Sequence, residues 1–419
     1  MSERSVDGAG GAGRDRQVIG LISAAHFVSH FYILLLPPVF ALVKADFGVS
    51  YTELGLALTV FNLVSASMQT PAGFVVDRVG PRAILTGGLL LGAAAVTLAA
   101  LLPGYWTFVA AYALLGLANT VYHPADYAIL SMAVSGNRVG KAFSVHTFSG
   151  YLGGSVAPAV MIFCAAAWSW RGAYLVAAGL GLAVALLLLT RGGILPNRMP
   201  APSGPQPAAS LPATQGWRLL FSAPILRNLF FFTLLALSNG GLQNFSVVAL
   251  GMLHGTPASV ANTALSGFLL LSALGVLLGG FIADRTRHHE RVAAICFAAT
   301  SSMVVLIGWV DLQTVLLVVA MAAGGLMNGI IQPSRDMIVR SVTPPGSFGK
   351  VFGFVSTGFN IGGTVSPLLY GWLMDRGQPQ VIFALITGFI LLSLLTVITR
   401  KKPEAAQGPV PLAARSAGS

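Results

Sequence analysis

Twelve stretches of this chain are apolar for long enough to cross a lipid bilayer, and nothing else in the sequence constrains the fold as much. A helix needs roughly 20 apolar residues to span the hydrocarbon layer. The runs centre near residues 30, 64, 92, 120, 152, 181, 236, 270, 300, 326, 362 and 389. In lipid every backbone N–H and C=O must be bonded within the chain, so such runs become helices. Hydrophobic residues make up 55% of the 419, charged residues 9%, and mean hydropathy is +0.78. A soluble domain of this size has no use for so much apolar side chain. Glycine is abundant, as in closely packed membrane helices. The first run continues without a small-residue cleavage site and reads as a retained span. The expected fold class is an all-α membrane protein of twelve transmembrane helices.

The net charge of +11 could point to nucleic acid, but its distribution points to topology. With the N-terminus placed inside, only Lys44, Arg171 and Arg376 of the 24 Lys and Arg fall on outer loops. Arg335 lies within a span, which leaves 20 on the inner side. This is the positive-inside asymmetry, and it predicts cytoplasmic termini. The basic side chains are expected to contact lipid, and no nucleic-acid partner is expected. Cys164 and Cys296 lie in separate apolar runs without a partner at metal or redox spacing and read as small buried hydrophobes.

Residues 1–17 and 400–419 are polar tails, and residues 192–222 form a linker rich in Pro, Ala, Ser and Gly. The linker divides the chain into two six-helix halves, 18–191 and 223–399. The halves repeat. Sliding residues 119–158 by 209 positions matches ten of forty without a gap, including Asn119/Asn328, Pro124/Pro333, Gly153/Gly362 and Pro158/Pro367. "GFVVDRVGPR" (73–82) is echoed by "GFIADRTRHH" (280–289). A parallel duplication implies a pseudo-two-fold axis along the membrane normal, with a substrate site where the halves meet.

These features resemble the major facilitator superfamily over roughly residues 18–400. The segment "GFVVDRVGPR" is similar to the motif that the superfamily carries between its second and third helices, through Gly73, Asp77, Arg78, Gly80 and Arg82. The second copy keeps Gly280, Asp284 and Arg285 and then departs, lacking the later glycine. The resemblance implies that these loops latch the cytoplasmic side closed when the outer side is open. "AHFVSHFYILLLPPVF", "YHPA" and "SGYLGGSVAP" resemble the fosmidomycin-resistance branch of efflux carriers. The last also resembles the antiporter signature of drug exporters, with Ala157 where that signature has glycine.

A charge near the bilayer midplane costs a few kcal/mol at least, so an ionisable residue there marks a candidate site. Asn119, His123 and Asp126 share one face of the fourth helix. Asn328, Gln332 and Arg335 share the equivalent face of the tenth. The repeat axis is expected to set these stripes on opposite walls of one cavity, with Asp126 facing Arg335. Asp336 is expected to point away from Arg335 and to pair with Arg340. His26 and His30 lie one turn apart on the first helix, near the depth of Asp126, and with His123 make a candidate proton relay. His146 is a further member. Zinc is not expected, because no acid or Cys accompanies the two histidines on their helix. In "LSNGGLQNFS" the glycine pair between Asn239 and Gln243 is expected to unwind the seventh helix and present backbone to a ligand. No phosphate-binding loop or nucleophilic triad is present, so neither an enzyme nor a cofactor is expected.

The reading is therefore a monomeric secondary transporter in the cell's inner membrane. It exports a small organic compound with an anionic group by proton antiport, in alternating access. Asp126, His26, His30 and His123 carry protons. Arg335, Asn119, Asn239, Gln243, Asn328 and Gln332 bind substrate. Gly73, Asp77, Arg78, Arg82, Asp284 and Arg285 form the gate. Proton symport of a small carboxylate and a non-transporting receptor are the alternatives.

Overall fold

The computed structural model describes residues 6–135, 138–197, 218–286, 288–343 and 348–398. Among them there is no strand. The first half contains α1 (Val6–Ile33), α2 (Phe40–Phe47), α3 (Tyr51–Val79), α4 (Pro81–Leu101), α5 (Tyr105–Asn119), α6 (Tyr122–Ala133), α7 (Val139–Ala167) and α8 (Trp170–Arg191). The second contains α9 (Ala223–His254), α10 (Ala258–Arg285), α11 (His289–Trp309), α12 (Thr314–Ser341), α13 (Phe348–Asp375) and α14 (Pro379–Ile398). These elements make twelve rods, because two rods are interrupted. Pro37 and Pro38 lack the N–H that would continue α1 into α2, and a short 3-10 turn stands there instead. Between α5 and α6 the break falls at Thr120 and Val121. Pro124 accounts for it: its ring meets the carbonyl of residue 120 and supplies no hydrogen.

The seventh rod behaves differently from the sequence expectation. α9 runs through Gly240 and Gly241 without a break. The two glycines serve close packing instead. A Cβ on Gly240 would lie 2.1 Å from the Ser366 hydroxyl, and one on Gly241 would lie 2.5 Å from the Tyr370 ring. Loss of two side chains lets α9 seat against α13 and α14, and helical hydrogen bonding persists.

Among the described residues, nine helical segments are long and apolar enough to cross a membrane by themselves. The remaining three rods, α3, α5 with α6, and α13, complete the bundle. Large apolar side chains cover its outside, with Phe163 and Val315 each 72% exposed. Such a surface suits hydrocarbon as the surrounding medium.

The chain turns between rods at two rims. The terminal rim carries the start of α1 and the start of α9; the distal rim lies at the other end. Lys44, Arg171 and Arg376 sit at helix ends on the distal rim, over the rings of Tyr51, Trp170 and Trp372 respectively. Ser50 and Glu53 form a capping box that starts α3 there, with bonds of 2.7 and 3.1 Å.

The halves meet along α3 with α13 and along α7 with α10. The α3–α13 seam is tight on the distal side. The Asp375 carboxylate accepts from the Tyr51 N–H at 2.7 Å and the Thr52 N–H at 2.8 Å, capping α3 from the other half. Deeper in, Thr59 donates to the Thr364 carbonyl and Asn62 to the Gly363 carbonyl, each at 2.9 Å. An anion at a helix N-terminus is favoured by the exposed N–H groups and the helix dipole. Asp375→Asn should loosen this seam. A cysteine placed at Thr59 is expected to react about fivefold faster with an impermeant maleimide added on the distal side. An unchanged rate would reduce Asp375 to a surface cap.

Candidate functional site: a buried acid–histidine cluster and a polar cavity

Among the described residues two polar assemblies lie inside the bundle, one within the first half and one mainly in the second, where α7 also borders it. The first surrounds Asp126, which is 0% exposed. The short helix α6 carries it, with His123 one turn earlier. α1 brings His26 and α7 brings His146. The nearer Asp126 oxygen lies 3.4 Å from His26 Nδ1 and 3.0 Å from His146 Nε2. The His26 and His146 rings stack with centroids 3.7 Å apart. His30 and His123 stand edge-on to His26 at 4.6 and 5.2 Å, and both are only partly buried. They lead from the less buried side to Asp126.

Glycines in α7 make the approach possible. A Cβ on Gly150 would lie 2.7 Å from the His26 ring, and one on Gly153 would lie 2.1 Å from the Phe27 carbonyl. α1 and α7 are therefore in backbone contact. Several polar atoms of the cluster stay buried without a hydrogen bond: Asp126 Oδ1, His26 Nδ1, His123 Nδ1 and His146 Nδ1. Among the described residues no Lys or Arg lies within ion-pair distance of Asp126. Imidazoles are its nearest titratable partners.

His26, Asp126 and His146 also offer ligand atoms that lie within 4.8 Å of one another. Donors around a tetrahedral zinc stand about 3.3–3.6 Å apart. The sequence reading set zinc aside because α1 carries no acid. That reasoning fails in three dimensions, since the acid and a third imidazole arrive from α6 and α7. Two histidines and one carboxylate is a ligand set that zinc sites use, so the cluster can hold a metal ion as well as a proton.

The second assembly is a cavity of about 140 Å³. Asn239 and Gln243 of α9 line it with Asn328, Gln332 and Arg335 of α12 and Tyr151 of α7. Asn328, Gln332 and Arg335 share one face, as their spacing requires. The Tyr151 hydroxyl donates to Gln332 Oε1, which ties the two halves together at the cavity wall. Asn119, expected in the same wall, instead donates to the Ser65 hydroxyl at 2.8 Å within the first half. The α5–α6 break turns it away from the stripe of Asp126.

Arg335 is held on three sides. Its guanidinium lies 4.9 Å from the Phe232 ring and 5.3 Å from the Phe359 ring. Its Nε and Nη2 each lie 2.9 Å from Asp336 Oδ1. The expected pairing of Arg335 with Asp126 across the halves is absent, and Asp336 takes its place. A long arginine reaches along its own helix past the 100° that separates neighbouring Cβ atoms, so the backbone angle does not forbid the contact. The Asp336 side chain is half exposed.

Of the six expected gating residues, Gly73 and the side chains of Arg78, Arg82 and Arg285 are described. Gly73 faces open space, and Arg78 is exposed. Arg82 donates to the Leu189 carbonyl at 3.5 Å, and Arg285 lies over the Phe281 ring. The side chains of Asp77 and Asp284 lie outside the described residues.

The sequence profile of the Major Facilitator Superfamily matches residues 22–256 and again 229–417. The chain belongs to this superfamily. It is a multi-pass membrane transporter and not an enzyme. Across 91% of its length this transporter is 23% identical to the fosmidomycin resistance protein of Escherichia coli (strain K12), covering 92% of that protein. It is 25% identical to the multidrug resistance protein MdtH of Cronobacter sakazakii over 83% of its own chain and 86% of the other. The probable sulfoacetate transporter SauU of Cupriavidus necator is 23% identical, with 89% and 90% covered. A solved bacterial homologue of the human lysosomal transporter Spinster, inward-facing and unoccupied, superposes with a TM-score of 0.75 at 14% identity. It covers 93% of this chain and 99% of that one. The superfamily fold, with two similar halves around a central site, is therefore shared.

Proposed function

We propose that this transporter exports a small organic compound bearing an anionic group, in exchange for protons. The observation that carries the reading is the division of labour between the halves. One holds a buried acid ringed by four histidines. The other holds a cavity walled by amides and one fixed guanidinium. Asp126 with His26, His30, His123 and His146 takes up and passes the proton. Arg335 binds the anionic group, and Asn239, Gln243, Asn328 and Gln332 supply directional hydrogen bonds. An incoming anion displaces the Asp336 carboxylate, so the guanidinium is paired at every stage.

The basic-residue asymmetry supports an inner terminal rim and cytoplasmic termini in a bacterial inner membrane. The two halves would rock about the α3–α13 and α7–α10 seams, closing the terminal rim as the distal rim opens. The likeness to the fosmidomycin resistance protein and MdtH favours export. The likeness to a probable sulfoacetate transporter, together with Arg335, favours uptake of a small organic anion as the second reading.

Reconstituted liposomes with an imposed pH gradient test both. Fosmidomycin is the first compound to try, with a panel of small organic anions beside it. Antiport predicts that substrate moves against the proton gradient and that its addition drives protons the other way. Co-movement of substrate and proton would select symport. Flux that ignores the gradient would remove proton coupling.

A further inference from the structure

We infer that Tyr151 is the positioning residue through which the acid–histidine cluster and the Arg335 cavity sense one another. The inference rests on the proposed proton coupling and gives it a physical link.

Tyr151 belongs to the helix that supplies His146, and the two are five residues apart. Its hydroxyl bonds to Gln332 of the other half, inside the cavity that Arg335 lines. Its ring also borders a crevice of about 330 Å³ between α7 and α10, formed with Thr147, Val276 and Leu277. Tyr151 is thus the partition between cavity and crevice.

The residue before it, Gly150, places bare backbone against His26 and His30, leaving no room for a Cβ. A shift of α7 by a fraction of an ångström must therefore move those rings or the His146–Asp126 bond of 3.0 Å. Packed interfaces of this kind respond in discrete steps and not by smooth deformation. A substrate that takes the Gln332 carbonyl releases Tyr151, frees α7 from α12, and lets the cluster rearrange. Proton uptake at the cluster runs the same movement backwards, since coupling between two sites is reciprocal.

The titratable groups that face Asp126 are His26 and His30 from α1, His123, Tyr122 and Tyr127 from α6, and His146 from α7. On the cavity side Tyr151 shares its wall with Arg335, whose partner is Asp336.

The test uses the full chain in lipid nanodiscs with Cys164 and Cys296 replaced by alanine. Spin labels at Val145→Cys and Leu277→Cys report the width of the α7–α10 crevice. Between about pH 6 and about pH 8 the ratio of narrow to wide populations should change about fivefold. Tyr151→Phe keeps the ring and should flatten that change, with elution and melting unaltered. Gln332→Leu should flatten it from the other side, and Gln332→Glu, which keeps an acceptor, should preserve it. A full pH response in Tyr151→Phe that Asp126→Asn abolishes would overturn the role of Tyr151 and leave the proton reading standing. A response that survives Asp126→Asn, or none in the parent chain, would overturn both.

Discussion

Asp126→Asn is expected to abolish proton-driven transport while leaving exchange of substrate across the membrane largely intact. The substitution is nearly isosteric, and Asp126 has no exposed surface to adapt. The new amide oxygen can still accept from His146 Nε2, so the α6–α7 contact survives. What disappears is the one negative charge that a proton on the cluster could balance. The four histidines then have no counter-ion, and charging any of them means burying a lone cation. Exchange needs no net proton movement and so escapes the loss. In proteoliposomes, accumulation driven by a pH gradient should fall more than about tenfold, while counterflow of labelled substrate changes little. Equal loss of both would mean that Asp126 binds substrate or supports the fold. Folding itself should not suffer, because the variant removes a charge from a fully buried position.

The sequence placed the transmembrane rods and the duplication correctly because both are written in long, redundant patterns. Twenty apolar residues tolerate many substitutions and still read as a span. The cavity was also legible. Asn328, Gln332 and Arg335 fall on one helical stripe, while Asn239 and Gln243 were singled out by the glycine pair between them, which packs against α13 and does not unwind α9. The failures share a cause: each depended on rotation or register between rods, which a 209-residue offset does not encode. Asp126 and Arg335 align in the repeat, yet Asp126 turns into its own half against α1 and α7. Asn119 turns away with the same break. Pro124 breaks its rod while Pro333, its counterpart, sits inside the continuous α12. The Asp375 cap on α3 joins residues 324 apart and had no local signal. His146 was named with the other histidines, but its direct bond to Asp126 depends on the approach of α7 to α1 at Gly150, which has no local signal.

Arg335→Gln should separate anionic ligands from neutral ones. The guanidinium is 14% exposed and clamped between Phe232 and Phe359, so its position is set before any ligand arrives. Preorganisation of that kind lowers the ordering cost of binding. Asp336 occupies the Nε and Nη2 edge, so an anion that binds this edge of the fork side-on must displace it. Removing one member of a buried, hydrogen-bonded charge pair costs about 2–5 kcal/mol in affinity, so anion binding should weaken at least about thirtyfold. Neutral ligands that use the amides of Asn239, Gln243 and Asn328 should lose little. Arg335→Lys keeps the charge but gives up the planar fork and its stacking, and should fall between parent and glutamine. Asp336→Asn acts in the opposite sense. It removes the carboxylate that competes for the guanidinium, so anion affinity should rise, by about tenfold if the competition is as direct as the 2.9 Å contacts suggest. Because the Asp336 side chain is half exposed, its loss should cost the fold little. Calorimetry with matched neutral and anionic ligands reads all three variants against the parent chain. Anion affinity retained in the glutamine variant would sink the assignment and leave the Arg335–Asp336 pair as a tie within α12.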